Sequence, residues 1–447
     1  MQVNLSIPTS RVVNFTQNKA VTSKQGISQI SRQDRFGLSE EEIKIQSDRF
    51  INLLKTARDG ADLPEISPKI LRKILGIVRS NNLSRESEYA QYYAQLGKNI
   101  QNLYLRKFLL EQCPEKNSFV LTVNDTALRS NYSSLIIPTL NFHKIIGSIP
   151  KNGEERRECA NRYYATIAWI SRGVENGKAM EEFFRPYFEK ALKIENKERF
   201  INILRATYKG QRRYDRTFSY KTEQLPSGIY RTTGFVDDLE VEKAYAPTGD
   251  ESEMRLFKKL MAQLRVYPLN PNNTELKKKL FDIDKIKDAV NKMLSDIGFI
   301  SKKMKFKKSS ELAPDYILRA LSPQLSAYNS INHQKLEYYG DAVCNLLVEN
   351  FLLGKSPSLQ DKRKLYKEMK SNKVFAEFFD KLKLEKYVMN KGEKIDDKLK
   401  ADVFEALIGA LHLSYPEKYV HIFLKPLLEQ KYQELAEKFK INQTIVK

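Results

Sequence analysis

Residues 332–353 read NHQKLEYYGDAVCNLLVENFLL, a stretch spaced as a helix. Leu336, Val343, Leu346, Leu347 and Phe351 recur at helical intervals, which predicts one helix with an apolar face. Glu337 and Asp341 are four apart on that helix and so share a side. Gly340 between them leaves room for another backbone or a ligand to come close. A second stretch, DDKLKADVFEALIGALHL (396–413), has the same construction. Val403, Leu407 and Leu411, flanked by Phe404, Ile408 and Ala410, form its apolar side. Asp402 and Glu405 are three apart on one face.

Two core helices that each turn an acidic pair inward repel unless a cation lies between them. Four carboxylates suit a hard ion such as Mg²⁺ or Mn²⁺, which takes oxygen ligands. Such an ion activates water and offsets charge on a phosphodiester. Spacing alone leaves a plainer reading ahead: two unrelated amphipathic helices with exposed acids, because such acidic pairs are common.

The wording of the segments goes further than their spacing. LEYYGDAV (336–343) and ADVFEALIGAL (401–411) resemble the two signature segments of the ribonuclease III family. Between them, KRKLYKEMKSNKVFAEFFDKLKLEKYV (362–388) resembles the family's middle helices, including the Ser371-Asn372 step. Upstream, YILRALSPQLSAYNSINHQKLE (316–337) resembles the approach to the first signature.

The resemblance implies an all-helical endonuclease domain that cuts double-stranded or hairpin RNA with Mg²⁺, Mn²⁺ substituting. Metal-activated water would leave 5′-phosphate and 3′-hydroxyl ends. It also implies that Glu337, Asp341, Asp402 and Glu405 are the metal-binding and catalytic residues. Gln334 and Lys398 resemble the Dicer-like branch, whose matching lysine positions or neutralises the scissile phosphate. Lys394 and Lys400 compete with Lys398 for that role. Tyr338 and Tyr339 depart from the more usual Phe and Leu. His333 reads as a helix-entry residue rather than a proton shuttle, since the family's chemistry takes its base from metal-bound water.

The block at 70–190 resembles a worn copy of the same domain. LGKNIQNLYLRKFLL (96–110) aligns without gaps on 339–353, with Gly97 on Gly340, Asn102 on Asn345 and Phe108 on Phe351. CANRYYATIAWI (159–170) aligns on 400–411 at nearly the same offset. In this register the four acids become Ala94, Lys98, Asn161 and Tyr164. A site without carboxylates and with an added lysine is unsuited to a divalent cation. Because ribonuclease III domains work in pairs, tandem copies imply an internal pseudo-dimer with one active centre. A homodimer or a larger RNA-processing complex stays open. So does a competing class, a non-catalytic RNA-binding or ribosome-associated protein that keeps the fold.

Composition sets the remaining bounds. The 447 residues are 41% hydrophobic and carry a formal net charge of +21, which favours a polyanionic partner, nucleic acid ahead of an acidic membrane surface. Lysines within 277–279, 302–308 and 362–370, with Arg212 and Arg213, are candidate backbone contacts. Cys113, Cys159 and Cys344 form no CxxC pair, so neither a disulfide framework nor a zinc site is expected. No apolar run is long enough to span a membrane. An intracellular location is expected, cytoplasm or nucleus ahead of an organelle, although residues 1–36 are poor in acids, as transit peptides are. With Lys447 so soon after the second signature, no separate C-terminal RNA-binding domain is expected.

The expected fold is mainly α, with two ribonuclease III-type helical domains in tandem. Residues 1–36 read as a disordered tail and 37–195 as the degenerate domain. Residues 196–305 read as a basic linker or insert, 306–435 as the catalytic domain and 436–447 as a tail. Within the insert, YDRTFSYKTEQLPSGIYRTTGFVDD carries Pro-Ser-Gly and Thr-Thr-Gly turn signals that predict a β-hairpin.

Overall fold

The computed structural model describes residues 40–57, 66–79, 85–112, 125, 153–173, 177–193, 197–209, 216–263, 281–300, 311–323, 333–355, 358–389 and 395–441. The expected tail 1–36, Cys113, Arg212, Arg213, Lys394 and the 277–279 and 302–308 lysines lie outside them. The fold is mainly α with one small sheet. Among the described residues the first six helices are α1 (Glu40–Ala57), α2 (Pro68–Arg79), α3 (Arg85–Gln112), α4 (Gly153–Gly173), α5 (Gly177–Lys193) and α6 (Lys197–Lys209). Strands β1 (Phe218–Gln224), β2 (Tyr230–Val236) and β3 (Leu239–Ala246) follow, then α7 (Gly249–Gln263) and α8 (Ile283–Asp296). The last third holds α9 (Ala313–Ala320), α10 (His333–Lys355), α11 (Leu359–Met369), α12 (Asn372–Lys381), α13 (Asp397–Ser414) and α14 (Glu417–Lys438). No helix among the described residues is long and apolar enough to cross a membrane.

Local chemistry sets the helix starts. Pro68 opens α2, where a missing N–H costs nothing. Ser358, Ser371 and Asp396 cap α11, α12 and α13, each side chain accepting a first-turn N–H. In each half one central helix pair meets at backbone contact. A Cβ on Gly340 of α10 would lie 1.8 Å from the Glu405 carbonyl oxygen of α13, and one on Gly97 of α3 would lie 1.7 Å from the Tyr164 carbonyl oxygen of α4. Only glycine permits either crossing. Gly409 returns the contact in the C-terminal half, its Cβ position lying 2.5 Å from the Leu336 carbonyl oxygen.

Helices α3 and α10 run antiparallel against each other. Arg106, late in α3, reaches Tyr338 and Asp341, early in α10. Asn99 donates to the Asn345 carbonyl at 3.3 Å and to the Tyr366 hydroxyl at 3.0 Å. At the other end, Lys362 donates to the Tyr92 carbonyl at 2.5 Å. One continuous apolar core therefore runs through both halves.

A second, separate core lies between α6, the sheet and α7, built on Leu204, Phe218, Leu256, Phe257 and Leu260. The sheet has three antiparallel strands in order, one more than a hairpin. The Thr232-Thr233-Gly234 signal lies inside β2 and makes no turn. Gly234 sits there because α7 crosses close over it, with Leu260 Cδ1 3.3 Å from its Cβ position, and a register shift follows at Gly234/Phe235. The β2–β3 turn is made by Asp237 and Asp238 at φ 50° and 62°, a left-handed conformation that Asp tolerates. Residues 283–300, the end of the stretch read as linker, pack into the larger core, with Phe299 edge-on to Tyr415 and Phe423.

Candidate metal centre

The crossing of α10 and α13 turns Glu337, Asp341, Asp402 and Glu405 into one cavity of about 590 Å³, which Arg106, His333, Gln334, Asn372 and Lys398 also line. All four expected acids and the expected lysine therefore share a site. Within it, Glu337, Asp402 and Glu405 each offer a carboxylate oxygen, and these oxygens lie within 4.8 Å of one another. Glu405 is 7% exposed. Burial first, then the charges of Asp341, Glu337 and Asp402, push its carboxyl well above the usual carboxylate range.

A buried carboxyl crowded by like charges fits a divalent cation better than it fits an empty pocket. The donors are all oxygen, the set that Mg²⁺ or Mn²⁺ takes. Glu337, Asp402 and Glu405 would hold it.

Asp341 is engaged elsewhere. Its Oδ2 lies 2.5 Å from Arg106 Nη1, and its Oδ1 accepts from Asn345 Nδ2 at 2.8 Å. Arg106 also donates to the Tyr338 carbonyl and stacks over the Tyr338 ring at 4.4 Å. This arginine comes from the N-terminal half, and the motifs alone did not point to it. The aligned register held one clue: Arg106 falls opposite Glu349, a charged residue well inside the apolar half of its helix.

Lys398 is 69% exposed at its side chain and lies 2.5 Å from Asp402 Oδ2. Lys400 turns away to Asp380 at 2.9 Å and does not line the cavity. His333 opens α10 and is 3% exposed. Burial, then the charge of Lys398, lowers its imidazole to about 4, so it is neutral at neutral pH. Tyr339 finds a use for the hydroxyl that sets it apart from Leu: it bonds His412 Nδ1 at 2.8 Å and ties α10 to α13.

Residues 334–416, which contain every one of these acids, match the Ribonuclease III domain family model. Among curated proteins, the chain is 27% identical to a Ribonuclease 3 of Shouchella clausii over 190 residues, covering 41% of this chain and 72% of that one. It is 31% identical to a Ribonuclease 3 of Pelagibacter ubique over 133 residues, covering 28% of this chain and 58% of the relative. Among solved structures, a Dicer from Giardia intestinalis aligns over 86% of this chain and 62% of its own, at 13% identity and a TM-score of 0.47. The fold and site thus define a helical domain with an acidic centre of the ribonuclease III kind. Residues 334–416 are thus a ribonuclease III domain by family match.

Proposed function

We propose that this protein is a divalent-metal-dependent endoribonuclease acting on double-stranded or hairpin RNA, with one active centre at Glu337, Asp341, Asp402 and Glu405. The observation that carries this is the grouping of three carboxylate oxygens from two helices around a buried Glu405. A divalent ion held by Glu337, Asp402 and Glu405 would supply water activation and offset the charge on a phosphodiester. The products carry 5′-phosphate and 3′-hydroxyl ends.

The chain's own residues do the rest. Glu337, Asp402 and Glu405 hold the ion. Asn345 and Arg106 set the direction of Asp341. Lys398, at the rim on Asp402, swings to the scissile phosphate when the RNA enters. The backbone contact at Gly340 keeps the two acidic helices at a fixed spacing.

The two halves, 37–195 and 306–435, act as a Dicer-like internal pseudo-dimer. The matched crossings at Gly97/Tyr164 and Gly340/Glu405 support that reading, as does the antiparallel packing of α3 on α10. One observation favours the competing, non-catalytic class: Asp341 is held by an arginine.

The test is a duplex-RNA cleavage assay with Mg²⁺ on wild type, Glu405→Gln and Asp341→Asn. Loss of cleavage by about 100-fold or more in both variants is the expected result. Cleavage that survives both, or a wild type that binds duplex and never cuts it, would sink the nuclease reading.

A further inference from the structure

A second cavity, of about 360 Å³, lies where α3 and α4 meet the C-terminal half at α10 and α11, and Ala94, Lys98, Asn161 and Tyr164 all line it. In the aligned register these are the four positions that answer to the acids. They come from α3 and α4, the helices that cross at Gly97 as α10 and α13 cross at Gly340. The frame of the acidic site is thus repeated with different chemistry.

Its charge is opposite. Glu349 and Lys362 line the cavity as a buried ion pair, which cancels whether the proton sits on the acid or the base. Lys98 and Arg363 remain, both exposed. Among the described residues Lys98 has no ion-pair partner, and Arg363 holds only the Gln91 amide oxygen, at 3.2 Å. The Asn161 amide and Tyr164 hydroxyl add neutral donors. Two cations and two neutral donors around one hollow suit an oxyanion and repel a metal ion.

Symmetry says which oxyanion. Helices α3 and α10 pack antiparallel around the Asn99–Asn345 contact, so a local two-fold relates the two cavities. A duplex has its own two-fold relating its strands, and paired sites related by a two-fold meet opposite strands. We propose that this second cavity is a metal-independent site for a backbone phosphate of the RNA strand that the acidic centre does not cut, with Lys98 standing at the position that answers to Asp341. This rests on the duplex-RNA reading above.

The test uses the full chain and a short labelled RNA duplex in EDTA, so that binding is read without cleavage. Lys98→Ala, Arg363→Ala and the double variant are titrated across a salt series beside Lys178→Ala, an exposed lysine of the same half. The double variant is expected to bind about tenfold more weakly, with the slope of log K against log salt reduced by about two. Each single variant should lose about one, and Lys178→Ala nothing. Because both side chains are exposed, unchanged thermal melts are expected to accompany these losses. A double variant with wild-type affinity and slope overturns the proposal, as does a wild type that binds duplex only when a divalent ion is present. If instead Glu405→Gln still cleaves while the double variant loses its slope, the acidic-centre assignment fails and this one stands.

Discussion

Arg106 Nη1 lies 2.5 Å from Asp341 Oδ2, so the N-terminal half of the chain reaches directly into the acidic centre of the C-terminal half. The guanidinium is mostly buried, at 15% side-chain exposure, and it holds Asp341 while the other three acids cluster. A cation entering the cluster meets a positive charge already in place.

Replacing that charge should therefore tighten metal binding. Arg106→Gln is expected to raise Mn²⁺ affinity about tenfold, roughly 1.4 kcal/mol. Asp341→Asn should lower it. Isothermal titration of the RNA-free protein reads both. Equal affinities in wild type and Arg106→Gln would show that the guanidinium leaves the ion's site untouched.

The glycine contacts give a stability prediction. Gly340→Ala places a methyl 1.8 Å from a carbonyl oxygen, and Gly97→Ala does the same at 1.7 Å. Neither crossing can absorb that without moving a helix, so each variant should lose about 3 kcal/mol or more in urea unfolding. A loss below about 1 kcal/mol would mean that the helices part easily.

His333 gives a pH dependence. Its folded value of about 4 lies below the ordinary 6.5, so the unfolded chain binds the extra proton first. The contribution is present above about pH 6.5 and is lost as pH falls toward 4. Between pH 7 and 5 this one group should cost about 2 kcal/mol. In His333→Gln that part of the acid sensitivity should vanish from thermal melts, while cleavage at pH 7 persists. A collapse of cleavage with intact folding would instead make His333 a proton carrier.

If the second cavity is a worn metal site, its acids can be put back. Ala94→Glu, Lys98→Asp, Asn161→Asp and Tyr164→Glu together restore a carboxylate at each aligned position of the cavity. The expected gain is one further Mn²⁺ per folded chain by titration. A folded quadruple variant with unchanged stoichiometry would argue against the duplicated frame.

Much of the site was legible in 332–353 and 396–413: spacing put each acidic pair on one helix face, and only the likeness to the ribonuclease III signatures joined the two pairs into one site, with Gly340 marking a close approach. The N-terminal counterparts Ala94, Lys98, Asn161 and Tyr164 were legible by register, and they share a cavity. Arg106 was legible only as a charged residue aligned on Glu349; its contact with Asp341 joins two distant stretches of chain, and neither stretch announces the other. Gly409 was passed over because an apolar helix gives no sign of which small residue lies at the crossing. The sheet was half-read: Thr-Thr-Gly looked like a turn, but that glycine serves the close passage of α7, and Asp237-Asp238 turns the chain with no glycine at all. The Tyr339 hydroxyl looked like a core departure until His412 supplied its partner.

If residues 37–195 are a worn copy of the catalytic domain, as proposed above, the contact between Gly97 and the Tyr164 carbonyl bears on how such a copy decays. On that reading, chemistry can drift away from one copy while the other keeps it, because Lys, Asn or Tyr fits at the positions aligned with the acids. The crossing point has no such latitude, since any side chain there forces the helices apart and takes the shared core with them. A retired copy in this architecture should thus be recognised by the glycine it cannot lose, long after the residues that once defined its activity have gone.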